Sequence, residues 1–165
     1  MIIEATICEV LNHLYRAGYL PCPAYTEEPE ARDRPDEYYI VEKTGESKSS
    51  FIYTAQLSIQ SYGVSLIRAA MLSKLLEAAA QYITDATVVD LEPDMYPGYS
   101  DIGGMHLVNS YNWSDTTTAR YRYQSIYDVS YAASDYEPYL NGTHTHGVAL
   151  RPATVGTART GIDRV

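Results

Sequence analysis

The chain has 165 residues, enough for one ordinary domain with an appendage, and 45% of them are hydrophobic, which indicates a globular body rather than a disordered chain. Twelve basic residues against twenty-one acidic ones leave a net charge of −9, which argues against non-specific binding to nucleic acid or to an anionic membrane face. No apolar stretch approaches the ~20 residues that span a bilayer, the first residues lack the basic segment of a secretory leader, and two cysteines, Cys8 and Cys22, indicate a reducing compartment rather than a disulfide scaffold.

Tyrosine is over-represented among the aromatic residues. The chain has 17 tyrosines but one phenylalanine, Phe51, and one tryptophan, Trp113. A tyrosine ring is apolar with a polar tip, which suits a surface that a partner buries. Tyrosine is also common in β-sheets, so composition alone leaves both interpretations open.

The first predicted element is a helix, because apolar residues recur at helical spacing from Ile3 to Leu14. Gly18 suits the left-handed position after the helix end, and Pro21 prevents the helix from restarting. Residues 21–36 then contain four prolines and five acids without any periodicity, which predicts an irregular loop. We interpret it as a solvated loop or, less strongly, an interaction loop, whose candidate contact residues are Glu27, Glu28 and Glu30.

A hairpin and a second helix follow. Residues 37–43 are predicted as a strand, residues 44–48 as its turn, and residues 51–60 as a longer strand with strict apolar–polar alternation. Ser65 is the predicted N-cap of a helix over residues 65–83. Its core stripe is predicted to consist of Ile67, Met71, Leu75, Ala78 and Tyr82, widened by Leu66, Ala70 and Leu76. Alanines in this helix would allow close packing on a sheet.

The last predicted strands span residues 87–91, 105–113 and 119–132, with a loop over residues 92–104. One face of the final strand carries Tyr121, Tyr123 and Tyr127, and the other carries Arg120 and Arg122. All five are candidate contact residues. We expect the two arginines to pair with acids of an adjacent subunit or with solvent rather than to bind phosphate.

These elements predict an α+β fold: a mixed, mostly antiparallel sheet of about four or five strands with two helices packed on one face, over residues 1–132. Strands of thirteen or fourteen residues extend about 45 Å, whereas each helix extends only about 25–30 Å. Two helices therefore leave part of such a sheet uncovered, and neighbouring copies of the chain are the economical cover.

Residues 133–165 are predicted to form an extended C-terminal arm. They carry three acids and three bases, and their apolar residues show neither helical nor strand periodicity. Such a segment buries too little surface to fold alone, so we expect it to lie on a partner subunit. Its candidate contact residues are Leu140, Val148 and Leu150.

The sequence contains no convincing catalytic, cofactor or metal motif. His144 and His146 have a spacing that serves Zn²⁺, but no nearby cysteine or carboxylate completes the set, and exposed histidines are the better interpretation. Cys8 and His13 lie about 140° apart around a helix and cannot pair directly. We therefore predict a protein without catalysis, cofactor or bound metal.

The order and local character of the elements resemble the tail terminator (tail completion) proteins of long-tailed bacteriophages. The resemblance rests on the Tyr-Arg-x-Gly break at residues 15–18, the proline-rich acidic loop, and the strand at residues 37–42. The resemblance continues through three further segments: the alternating strand at residues 51–61, the alanine- and leucine-rich helix at residues 65–83, and the aromatic strand at residues 119–131. It covers about residues 2–132, and the C-terminal arm departs from short members of the family.

The resemblance implies a structural virion protein, assembled in the host cytoplasm, that forms a homohexameric ring at the head-proximal end of the tail. Such a ring ends polymerisation of the tail tube and contacts the tail tube protein and the head-completion or connector protein. DNA would pass through an acidic lumen without specific binding, and no membrane is involved. The alternatives are a head-completion or head–tail connector protein of the neck and, in another class, a small-ligand-binding α+β domain.

Overall fold

A computed structural model describes residues 3–50, 52–85 and 102–132 of the chain. Three predicted segments lie outside the described residues: the strand at 87–91, most of the loop at 92–104, and the arm at 133–165. The arm includes Leu140, Val148, Leu150 and both its histidines. The described elements, in chain order, are α1 (Ile3–Arg16), β1 (Ala24–Tyr25), β2 (Tyr38–Ser49), β3 (Ile52–Gly63), α2 (Leu66–Asp85), β4 (Ile102–Asn112) and β5 (Tyr121–Ala132).

The five strands form one mixed sheet in the order β1-β2-β3-β5-β4. Only the β1–β2 contact is parallel, and every other neighbouring pair is antiparallel. The central strands β3 and β5 pair in unbroken register from Ile52 with Ala132 to Gly63 with Tyr121. The prediction of an α+β fold with a mostly antiparallel sheet is confirmed.

Helix α1 forms as predicted and anchors one unpredicted strand. Its buried face includes Ile7 and Leu11, and Gly18 adopts a φ of 81° just after the helix end. The Asn12 amide donates to the carbonyl of Ala24 and accepts from its N–H, both at 2.9 Å. This pair of bonds holds β1 beside β2, so the irregular loop predicted over residues 21–36 contains a short parallel strand.

The β2–β3 hairpin turns later than its sequence predicts. Residues 44–48, predicted as the turn, continue β2, and a register shift between Lys43 and Gly45 absorbs the irregularity. The strands meet at the pair Ser49 and Ile52, with Ser50 at a φ of 56°. Pairing with the whole length of β3 therefore outweighs the turn-forming tendency of residues 44–48.

Helix α2 begins as predicted but packs with a different face. The Ser65 hydroxyl accepts from the Arg68 N–H at 3.2 Å, which is the expected N-cap bond. The residues that face the sheet are Ala69, Leu72, Ser73, Leu76, Ala79, Ala80 and Ile83. The predicted core stripe is wrong, because most of its members are exposed: Ile67 (74%), Met71 (48%), Leu75 (37%) and Tyr82 (43%). The buried side combines three alanines, which let the helix approach the sheet, with Leu72, Leu76 and Ile83, which fill the core.

Both helices pack on one face of the sheet, where a single core joins α1, α2 and the inward side chains of all five described strands. A smaller cluster on the opposite face contains Tyr38, Ile40 and Tyr62, with Tyr25 against it. Among the described residues, five tyrosines are buried: Tyr38, Tyr39, Tyr62, Tyr127 and Tyr131. These five tyrosines therefore serve the sheet of one chain, while other described tyrosines are on its surface.

Candidate interaction surfaces

The acidic loop is attached to the sheet through Glu28. Its carboxylate pairs with the guanidinium of Arg120, just before β5, and accepts from the Tyr38 hydroxyl at 3.3 Å. Arg34, in the same loop, also lies 3.3 Å from Glu28. Burial raises the pKa of Tyr38, and the hydrogen bond with Tyr38 raises the pKa of Arg120, so both groups keep their protons. We expected Arg120 to meet an acid of an adjacent subunit or solvent, but its acid belongs to the same chain.

Arg122 occupies a compact site of hydrogen bonds and aromatic rings. Its guanidinium donates to the Tyr62 hydroxyl at 2.8 Å, the Gln60 side-chain oxygen at 3.1 Å and the Trp113 carbonyl at 2.9 Å. It also lies 4.3 Å from the centre of the Trp113 ring, a distance suited to a cation–π contact. These partners use most of the donors of Arg122, which favours a structural role over phosphate binding.

The remaining candidate residues fall into three environments. Glu27 and Glu30 are exposed, and Glu30 lies 3.1 Å from Arg32 at the surface. Tyr121 and Tyr123 are half-buried at the start of β5. Tyr127 is fully buried among core residues, and burial raises the pKa of its hydroxyl. Tyr127 is therefore a core residue, and its assignment as a contact residue is wrong.

The exposed apolar side of α2 forms a surface that the sequence analysis placed in the core. Ile67, Met71, Leu75, Ala78 and Tyr82 follow the helix with spacings of three and four residues, and we call this set the α2 stripe. A groove of about 280 Å³ runs between the stripe and the end of α1, where Leu14, Tyr19 and Leu20 form the opposite wall. Apolar residues at this spacing can pack in the core or can form an exposed surface that binds a partner. The sequence alone does not distinguish these two outcomes.

A second exposed surface follows strand β4. From His106 to Asn112 nearly every side chain of this strand is exposed, including Leu107 (36%), Val108 (55%) and Tyr111 (40%). The outer half of β2, from Glu42 to Ser49, is likewise exposed throughout. The two long strands predicted from the sequence, β3 and β5, pair with each other in the middle of the sheet, so the exposed strand surface lies on their neighbours β2 and β4.

The described residues offer little for chemistry. No group of three or more histidine, cysteine or acidic side chains is placed to hold a metal ion in the part of the chain that the structure describes. Cys8 and Cys22 are free and buried, and burial raises the pKa of their thiols to about 11 and about 12, which makes them poor nucleophiles. Neither α1 nor α2 is long and apolar enough to cross a membrane.

Comparison with known proteins adds no family to this description. No protein-family model matches the sequence, and no curated protein is similar enough to count as a relative.

Proposed function

We propose that this chain is a structural subunit of a closed protein ring, and specifically the tail terminator of a long-tailed bacteriophage. Six copies would form a ring at the head-proximal end of the tail, end polymerisation of the tail tube and join the tail to the head. The observation that carries this proposal is the amount of strand and helix surface that one copy leaves uncovered. The exposed lengths of β2 and β4 and the α2 stripe are large for a subunit that works alone.

The fold supports the specific assignment. The resemblance to tail terminators implies an α+β subunit, and the described residues form an α+β fold with two helices on one face of a mostly antiparallel sheet. The excess of acids over bases also suits a ring through which DNA slides, because few cations are available to hold its phosphates. In the intact virion the expected partners are identical copies, the tail tube protein and the head-completion or connector protein.

Two other functions are weaker. A head-completion or connector protein of the neck would use similar exposed surfaces, but helix α2, at 20 residues, is long for a class built mainly of β-strands. A small-ligand-binding domain would use the groove beside α2, which is near the lower limit of ligand-pocket volume. The lining of that groove is almost entirely apolar and lacks the convergent polar groups that orient a ligand.

The length of the assembled tail tests the proposal. Phage that lack this protein should produce over-long tails that carry no heads, because nothing ends tube growth or presents a surface to the neck. Supplying the intact chain from a plasmid should restore normal particles. Tails of normal length on joined virions in the absence of the protein would contradict the assignment, and normal-length tails without heads would favour a neck protein.

A further inference from the structure

Among the described residues, the sheet has two edges on opposite sides where a strand has a neighbour on one side only. At one edge, β4 pairs with β5 alone among the described strands. At the other edge, β1 pairs with Tyr39 and Ile40 of β2, and no other described strand lies beside the outer part of β2, from Thr44 to Ser49. Each open edge presents a row of backbone donors and acceptors that another strand can satisfy.

The backbone of β4 directs hydrogen-bonding groups away from its partner strand. The Trp113 N–H donates to the Arg122 carbonyl at 2.9 Å, which fixes the alternation of bonds between β4 and β5. By that alternation the N–H groups of Ser110 and Asn112 point away from β5, toward the open edge. A strand that runs along the end of β4, beyond the register shift between Leu107 and Asn109, would therefore find these two donors aligned.

The directions of the strands indicate which strand of a second copy can pair with β4. Because β2, β3, β5 and β4 are successively antiparallel, β2 and β4 run in opposite directions. A second copy placed beside β4 in the same orientation presents its β2 antiparallel to that β4. The alternation of the sheet then continues across the contact, and the contact joins two different surfaces, as a ring requires.

The edge of β2 also provides a slot with suitable charge. A groove of about 540 Å³ follows residues Val41 to Thr44 and is bounded by Glu4 and Ala5 of α1 and by Thr26 and Glu27 of the acidic loop. Strand β4 contains no acidic residue. Strand β4 of one copy can therefore enter the acidic groove beside β2 of another copy without like-charge repulsion. Pairing β2 of one copy with β2 of another would instead bring two acidic grooves together.

We propose that copies of this chain join head to tail, with the outer edge of β4 in one copy paired antiparallel to the open edge of β2 in the next. This inference rests on the proposed ring function and names the surfaces that form it. The contact covers Val108 and its exposed neighbours on β4 and extends the sheet from copy to copy. The α2 stripe lies on the helical layer, outside this contact.

Cysteine cross-linking in the full-length chain tests the contact. Val108→Cys would be combined in turn with Thr44→Cys, Glu46→Cys and Lys48→Cys, three exposed positions that sample successive registers on β2. The native thiols are buried and poorly reactive, so a short bismaleimide should join only the introduced pair. At least one double variant should give a ladder of covalent multimers, while each single variant should remain uncrosslinked.

The outcomes separate this inference from the ring function. Dimers from Val108→Cys alone would mean two-fold pairing of β4 and would overturn the head-to-tail contact. A ring mass without any intermolecular ladder, or cross-links within one chain only, would overturn the contact and leave the ring. A single-copy mass at every concentration would overturn the proposed function as well.

A charge substitution provides an independent measurement. Val108→Lys places a cation on the exposed edge and should raise the concentration for half-assembly by about tenfold or more, because lysine on an edge strand opposes pairing. Val64→Lys is the matched control, since Val64 is 57% exposed, much like Val108, and lies between β3 and α2, outside both the contact and the α2 stripe. Equal assembly of both variants, each folded by circular dichroism, would contradict the inference.

Discussion

Leu75 and Leu76 are adjacent in sequence but face different directions from α2: Leu76 is fully buried against the sheet, and Leu75 is 37% exposed beside the groove. Consecutive helical residues differ by about 100° around the axis, so one leucine contributes to the core and the other to the surface. The two leucines lie on either side of the boundary between the buried face of α2, which stabilises one copy, and its exposed face, which another molecule can contact.

This pair gives the first prediction. Leu76→Ala should lower the free energy of unfolding by about 2–5 kcal/mol, because it removes buried methyl groups and leaves a cavity. Leu75→Ala should lower it by less than about 1 kcal/mol, because much of that side chain already contacts water. Chemical denaturation of both variants measures the difference. A larger effect for Leu75→Ala would mean that α2 packs with the predicted stripe after all.

The close approach of β3 to α2 gives the second. A Cβ on Gly63 would lie 2.4 Å from the Ala69 backbone nitrogen, and backbone at that junction cannot easily move. Gly63→Ala should therefore destabilise the fold by about 1–3 kcal/mol. Gly45→Ala is the control, since nothing lies within 4 Å of its added carbon. Similar stabilities of the two variants, measured by thermal unfolding, would contradict this account of the junction.

The two arginines near the start of β5 should differ in their contribution to stability. Arg122→Ala removes three hydrogen bonds and a ring contact, and we expect a loss of about 1.5–3 kcal/mol. Arg120→Ala breaks a partly exposed ion pair with Glu28, for which about 0–1 kcal/mol is expected. Denaturant titrations of the two variants measure both values. A greater loss of unfolding free energy for Arg120→Ala than for Arg122→Ala would mean that the contact with the acidic loop contributes more to stability.

The ion pair between Glu37 and Arg68 should make stability depend on pH. Arg68 donates to both carboxylate oxygens of Glu37, at 2.8 and 2.6 Å, and this hydrogen bonding lowers the pKa of Glu37 from its ordinary 4.5. Because the folded state holds the carboxylate more strongly than the unfolded state, its stabilisation is present above pH 4.5 and is lost as pH falls through the lower folded value.

Glu37→Gln should flatten the fall in unfolding free energy in that acid range, and Arg68→Gln should flatten it to the same degree. The double variant should resemble either single one, because each removes the same interaction. Unfolding titrations at several acid pH values measure these slopes. An unchanged slope in Glu37→Gln would show that other carboxylates control acid unfolding.

Much of the fold could be predicted from local patterns. Alternation identified β3 and β5, helical spacing identified α1 and α2, and Ser65 and Gly18 marked helix ends, because each signal arises within a few neighbouring residues. The turn at Ser50 could not be predicted in this way, since it depends on how far β2 pairs with β3. Strand β1 depends equally on a distant contact, the two hydrogen bonds between the Asn12 side chain and the Ala24 backbone.

The surfaces were harder to predict than the fold. Helix α2 is apolar on two sides, and sequence alone favoured the side with larger residues, whereas the sheet accepts the side with Ala69, Ala79 and Ala80. Glu28 and Arg120 were both recognised as contact residues, but 92 positions separate them, and only the tertiary structure joins them in one chain. Tyr127 was misassigned because strand alternation gives its face but not its depth.

The mass of the purified full-length chain in solution tests the central claim most directly. The claim is that one copy leaves too much strand and helix surface uncovered and is sheltered in a closed ring of identical copies. Native mass spectrometry and light scattering should find a discrete assembly of six 18.4 kDa chains. A single chain that stays monomeric at every concentration, without aggregation, would contradict the account.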